Sequence, residues 1–440
     1  MSFPQMLRVR QLFEDSCIAD PRAVARAAAA RLLASFAERA ALRPILPGQS
    51  VAVGCGSRGI ANLAEIVAGV IAALKEAGLE PFIVPAMGSH GGGTAERQLN
   101  VLRHYGVTEE HVGAPVRSST ETVELARTPE GIPILFDRLA SEADHVFVIN
   151  RVKPHSHFVG PVESGPAKML LIGFGKPAGA LQYHRAFARH SFPQVFQSAI
   201  PVLLKKLSVL GGLAIIENAR DETARLVPLR GDELLEREPA LLREAVRRMA
   251  RLPFEEMDVL IVDRMGKDIS GVGMDTNVIG RDRPDLARPR VQVIFVRDLT
   301  PASEGNASGI GLADVTVRRL IEKMDPKATF LNCATAMHLH LARVPYAFET
   351  DREALEAALG ATAVRSPAEA RIVWIRDTLA LAELEASVAF TDEVARRSEL
   401  VPLGEPHDIL FHPDGALMDV FSPPVHGGVT SGTGHAPHPA

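Results

Sequence analysis

The stretch "SVAVGCGSRGIANLAEIVAGVIAALKEAGLEPFIVPAMG", residues 50–88, constrains the fold more than any other. An apolar strand at 50–54 enters a glycine-rich turn. An amphipathic helix follows and stops at Gly78, a residue suited to the left-handed end of a helix. A second apolar strand covers 82–86. Strand, helix, strand in this order predicts a parallel pair with a right-handed crossover. The pattern recurs: apolar strands are expected at 145–149, 210–218, 259–263, 291–299 and 370–377, and an Ala-, Leu- and Arg-rich helix at 21–44.

A chain of 440 residues exceeds what one core usually serves. Hydrophobic residues make up 46% and aromatics 5%, so the core must be largely aliphatic, which suits strands buried on both faces. The expectation is an α/β protein of two domains, each a largely parallel sheet flanked by helices, with a cofactor cleft between them. The N-terminal domain is placed at 1–250 and the C-terminal domain at 251–421. The Pro-, Gly- and His-rich tail, 422–440, has no periodicity and is expected to be disordered.

A net charge of −5 gives no electrostatic case for a nucleic-acid partner. Cys17, Cys55 and Cys333 are too scattered for a disulfide framework or a zinc knuckle. No apolar run is long enough for a membrane span, and the N-terminus lacks a secretory pattern. A cytoplasmic protein acting on a small molecule is expected.

In open parallel sheets ligands bind beyond the carboxyl ends of the strands. Four strand-end loops there are rich in glycine and polar groups. "GSRG" offers Ser57, Arg58, the Gly59 backbone and a helix N-terminus, either an anion site or an ordinary tight turn. "GSHGGGT" is neither a Walker loop nor a dinucleotide fingerprint. Thr94 can cap the next helix, and His90 is either an acid–base group or a structural histidine. "NRVKPHSHFVGPVESGPAKML" gathers Lys153, His155, His157, Glu163 and Lys168. A metal site there needs a further ligand. Lys168, which precedes an apolar helix expected at "MLLIGFG", is either an activated amine or a lysine snorkelling to water. His184, 16 residues on, is either a metal ligand or a surface histidine. "GKDISGVGMDTNVIGR" carries Lys267, Asp268, Asp275, Asn277 and Arg281 and can clamp a polar ligand. His338 and His340 are read as structural.

Together "GSRGIAN", "MGSHGGGT", the 150–176 stretch with His184 downstream, and "DISGVGMDTNVIGR" resemble the nickel-pincer lactate racemase family and its 2-hydroxyacid racemase and epimerase relatives. The resemblance implies a two-domain α/β isomerase. It also implies nickel held in a pyridinium-3,5-bisthiocarboxylic acid mononucleotide (the nickel-pincer nucleotide) made by dedicated cofactor-biosynthesis proteins. By position, Lys168 matches the tethering lysine and His184 the nickel ligand. His90 and either His155 or His157 match the acid–base histidines, with His155 favoured. Arg58 matches the arginine at the phosphate end, and Ser57, Gly59, Lys267, Asp275 and Asn277 are expected to complete the cofactor site. Cys55 stands where the lactate enzymes carry an acidic residue. Two other classes are weighed: a metal-dependent hydrolase or lyase using His90, His155 or His157 with Glu163, and a non-catalytic phosphate- or nucleotide-binding protein.

Overall fold

The computed structural model describes residues 3–39, 45–56, 59–88, 90, 93–187, 189–283 and 285–421. Its strands are β1 (Met6–Gln11), β2 (Ser50–Cys55), β3 (Glu80–Pro85), β4 (Thr122–Arg127), β5 (Pro133–Asp137), β6 (His145–Arg151), β7 (Val209–Glu217) and β8 (Thr223–Arg230). They continue as β9 (Glu256–Val262), β10 (Arg290–Val296), β11 (Val315–Val317), β12 (Tyr346–Phe348), β13 (Ile372–Ile375), β14 (Glu383–Ser387) and β15 (Leu400–Pro402). Two compact units result: residues 14–249, and the segment up to Phe13 joined with the chain from Ala250 onward.

The 14–249 unit is built on a five-stranded sheet in the order β3-β2-β6-β7-β8. The first four strands are parallel, and β8 returns antiparallel to β7. Alternate side chains feed two cores. Ala52, Val146, Val148, Ala214 and Ile216 face one, which also takes Leu170, Leu171 and the helix Phe192–Lys206. Val51, Val53, Phe147, Ile149, Leu213 and Ile215 face the other, beneath the helices Pro21–Arg39 and Leu63–Glu76. Covering both faces is what makes the central strands apolar throughout rather than alternating. Gly78 takes φ +79° just past the second helix, as its sequence position requires. The helix expected at 21–44 is present as Pro21–Arg39, and residues 40–44 lie outside the described residues.

The other unit holds an eight-stranded sheet in the order β12-β11-β10-β9-β13-β14-β1-β15. β12 through β13 run parallel, and β14, β1 and β15 are antiparallel additions. The placement of β1 corrects the 1–250 domain boundary. Met6 pairs with Ser387 and Arg10 with Glu383, so the first strand completes the C-terminal sheet. Met6 and Val9 are fully buried there, while Arg8 and Arg10 both reach Glu383. Nothing local in a six-residue strand names a partner that far along the chain. The expected tail, 422–440, lies outside the described residues. Among the described residues no helix is long and apolar enough to cross a membrane.

Candidate active site

His90 lies just beyond β3. Its N–H donates to Met87 O at 3.2 Å, and the buried Gln98 amide donates to Gly88 O at 2.9 Å and His90 O at 3.3 Å. Gly88, at φ +60°, turns the chain and donates its N–H to Gly173 O. Thr94 accepts from the Arg97 N–H and caps the helix Ala95–His104, as expected. Nothing in the sequence marks Gln98 for this role, because a glutamine inside a helix carries no local sign of its partner.

The expected apolar helix after Lys168 is a different object. Pro166–Lys168 forms one short turn, and Met169–Gly173 continues it as a π-helix. Such wide turns recur at functional sites because the extra residue re-aims its neighbours. A Cβ at Gly173 would stand 2.6 Å from Ala86 O, so only glycine lets this turn lie against the end of β3.

Glu238 supports the turn from below. It is completely buried and its Oε2 accepts the Ala167 N–H at 2.9 Å. A Cβ at Gly165 would run into its carboxyl. Burial pushes Glu238 up to about 8, against the pull of the Ala167 N–H. The unfolded chain releases this proton near the ordinary 4.5, whereas the folded chain holds it to about 8. The folded state therefore binds more protons across that window. Its stability is greatest below the lower value and falls as pH rises to the upper one. Glu238→Gln is expected to flatten that slope and to stabilise the protein at about pH 8 by on the order of a few kcal/mol. Urea unfolding at about pH 5 and about pH 8 measures it; an unchanged slope in the variant places the titration elsewhere.

Lys168 is half-buried at the end of the turn, near His184 on the helix Lys176–Phe187. Burial pushes His184 below its ordinary value, and the Lys168 ammonium lowers it further. The imidazole is thus held neutral at physiological pH, the form that can donate a lone pair to a metal.

A ring of aromatics joins His184 to the 155–163 loop. Phe158 stacks on His155 with centroids 4.7 Å apart and meets His184 edge-on at 5.8 Å. His157 lies 6.3 Å from His155, ring to ring. Glu163 is buried, and its oxygens accept the N–H groups of His155 at 2.7 Å and Gly160 at 3.2 Å. It braces the loop. Lys153 pairs with Ser164 across the loop's base. Thus His155 and His184 flank Phe158, His157 lies beside His155 and Lys168 beside His184, while the Gly88 N–H ties the His90 loop to the end of the π-turn.

Lys176 ties the end of β3, from which the His90 loop leaves, to the end of β5. Its side chain is fully buried, donates to Pro85 O at 2.7 Å and lies 3.2 Å from Asp137. Burial pushes the Asp137 carboxyl up and the Lys176 ammonium down, and their mutual attraction opposes both shifts.

Ser57 and Arg58 lie outside the described residues. Gly59 donates its N–H to Tyr105 Oη at 3.0 Å and accepts Arg151 at its carbonyl, so its described bonds brace the loop. Arg151 is paired with Glu217, which also accepts the Ala61 N–H. Cys55 is buried and its thiol is pushed up to about 12, so it is no substitute for an acidic residue. In the other unit, Lys267 donates to Gly271 O and Asn332 Oδ1. Asp275 accepts the backbone and side-chain N–H groups of Asn277, whose Oδ1 takes Arg283. These bonds shape the 266–283 loop itself. Among the described residues no group of three His, Cys, Asp or Glu side chains is placed to hold a metal.

Residues 49–194 match the family model described as the lactate racemase N-terminal domain. The lactate racemase apoprotein from Thermoanaerobacterium thermosaccharolyticum has a similar structure, with a TM-score of 0.50 at 14% identity, over 85% of this chain and 99% of that one. At this identity the likeness concerns the fold. No curated protein matches the sequence.

Proposed function

We propose that this chain, a lactate racemase-family homologue by its 49–194 domain, is a cytoplasmic, nickel-dependent racemase or epimerase of a small 2-hydroxyacid. The observation that carries this reading is the approach of Lys168 to a neutral, half-buried His184. A single histidine suits a metal whose remaining ligands come with a cofactor, and an adjacent amine suits a tether for that cofactor. A metal held by protein alone fits less well, since Glu163 is committed to backbone N–H groups.

In this reading His184 ligates nickel, Lys168 holds the nickel-pincer nucleotide, and Ser57 and Arg58 take its phosphate end. Lys267, Asp275 and Asn277 contribute through the loop they shape. Bound there, the cofactor supplies reversible acceptance of the hydride from C2 of the substrate. The chain's own task is proton handling on two faces. His90 serves one face, and a histidine of the 155–157 loop serves the other, each taking and returning the hydroxyl proton.

The test is purification after co-expression with the cofactor-making proteins, followed by metal analysis, mass spectrometry and a chiral screen of 2-hydroxyacids. Nickel, a nucleotide-sized adduct and inversion are expected. His184→Ala should fold yet lose nickel, and Lys168→Ala should retain far less cofactor. Zinc, manganese or iron with no adduct would overturn the reading in favour of a hydrolase or lyase.

A further inference from the structure

The loop that carries His155 is closed by the ring itself. His155 Nδ1 accepts the backbone N–H of His157 at 3.1 Å and that of Phe158 at 3.2 Å. Two donors aimed at one ring nitrogen require a lone pair there, because a proton on Nδ1 would oppose both. The neutral ring therefore carries its proton on Nε2. Turning the ring over would set a C–H against the same two N–H groups. The ring is also held flat: Phe158 stacks on it at an interplanar angle of 27°, and Phe192 backs Phe158 at 4.8 Å and 7°. Glu163 fixes the loop from the other side through the His155 N–H.

A histidine that removes a proton through Nε2 must be the opposite tautomer, with Nδ1–H donating to a carboxylate or carbonyl behind it. His155 has donors behind it instead. We infer that His155 is a fixed Nε2–H donor to an oxygen of the bound acid, and that His157 is the proton-handling partner of His90. This rests on the racemase reading of the site. The hydroxyl proton passes to His157 and returns from it, while His155 keeps its own proton throughout. The family resemblance favours His155 for that task; the support behind its Nδ1 reverses the preference. The two residues divide the work through one turn, since it is the backbone of His157 that helps to lock the ring of His155.

Two measurements test this. In full-length protein labelled with ¹⁵N-histidine and purified without cofactor, a long-range proton–nitrogen spectrum in mildly alkaline buffer reports each tautomer. The His155 signals are assigned by their loss in His155→Asn. Nδ1 is expected to be unprotonated and Nε2 protonated; an Nδ1–H tautomer, or an average of the two, overturns the inference. In the loaded enzyme, glutamine presents an amide N–H near the Nε2 position but cannot take up a proton. His155→Gln should slow racemisation by about tenfold, the loss of one hydrogen bond's worth of orientation. His157→Gln should slow it by about 10²–10⁴-fold. Equal losses of the larger size also overturn the inference. A loaded wild type that inverts no 2-hydroxyacid defeats the racemase reading, while the spectrum still decides the tautomer.

Discussion

His90→Gln is expected to slow racemisation by about 10²–10⁴-fold while leaving nickel and cofactor in place. The loop around His90 is shaped by backbone bonds: its N–H to Met87 O, the Gly93 N–H to its carbonyl, and the Gln98 amide to both Gly88 and His90. A glutamine at position 90 keeps those bonds and a polar tip of similar reach. It loses the ability to gain and release a proton near neutral pH. The rate should therefore fall without unfolding the loop. His90 also lies apart in the chain from Lys168 and His184, so retention of the cofactor should not depend on it. Racemisation followed by chiral chromatography, with nickel measured on the same sample, tests both halves. A variant that retains the wild-type rate, or one that sheds nickel, removes His90 from the acid–base role.

Asp137→Asn is expected to destabilise the protein by about 3–5 kcal/mol. Both Asp137 and Lys176 are fully buried. The asparagine retains Oδ1 to accept the Ala140 N–H, which Asp137 does at 2.8 Å, so the cap of that short helix survives. What disappears is the countercharge of a buried ammonium. Lys176 is also the residue that grips Pro85 O at the end of β3, so the His90 loop should loosen with it. Adding Lys176→Met should recover part of the loss, because a buried pair replaced as a unit costs less than one broken in half. Denaturant unfolding of the two variants measures this. A loss below about 1 kcal/mol in Asp137→Asn would mean that Lys176 sheds its proton cheaply or finds water.

The expected parallel strands all appear, and their ends carry His90, the 155–168 stretch and the 266–281 loop where the sequence put them. Strand and helix periods are local properties, so a single pass along the chain reads them. Glycine-rich loops that follow apolar strands carry the clearest local signal. The short antiparallel strands are less legible: the β4–β5 hairpin, β8 and β14 have no helix between themselves and a neighbour to mark them, and the partner of β15 is β1, at the other end of the chain. The segment after Lys168 has the composition of an ordinary helix, since a π-turn and an α-turn are equally apolar.

The sequence by itself determined the α/β class, the crossovers and the identity of the residues that carry the proposed chemistry. It did so through spacings of two to four residues and through the rule that ligands meet strand ends. The tertiary structure alone decided which sheet β1 joins, and that Glu238, 71 positions from Ala167, holds the turn bearing Lys168. It also decided that Lys176, 91 positions from Pro85, fastens the His90 loop. The cause is physical. A buried polar group must find a partner or suffer a large desolvation penalty, and the partner is whatever the packed core brings near. Even the two bonds to His155 Nδ1, which span only two and three residues, depend on a loop held by Glu163 and on the stacking of Phe192 against Phe158.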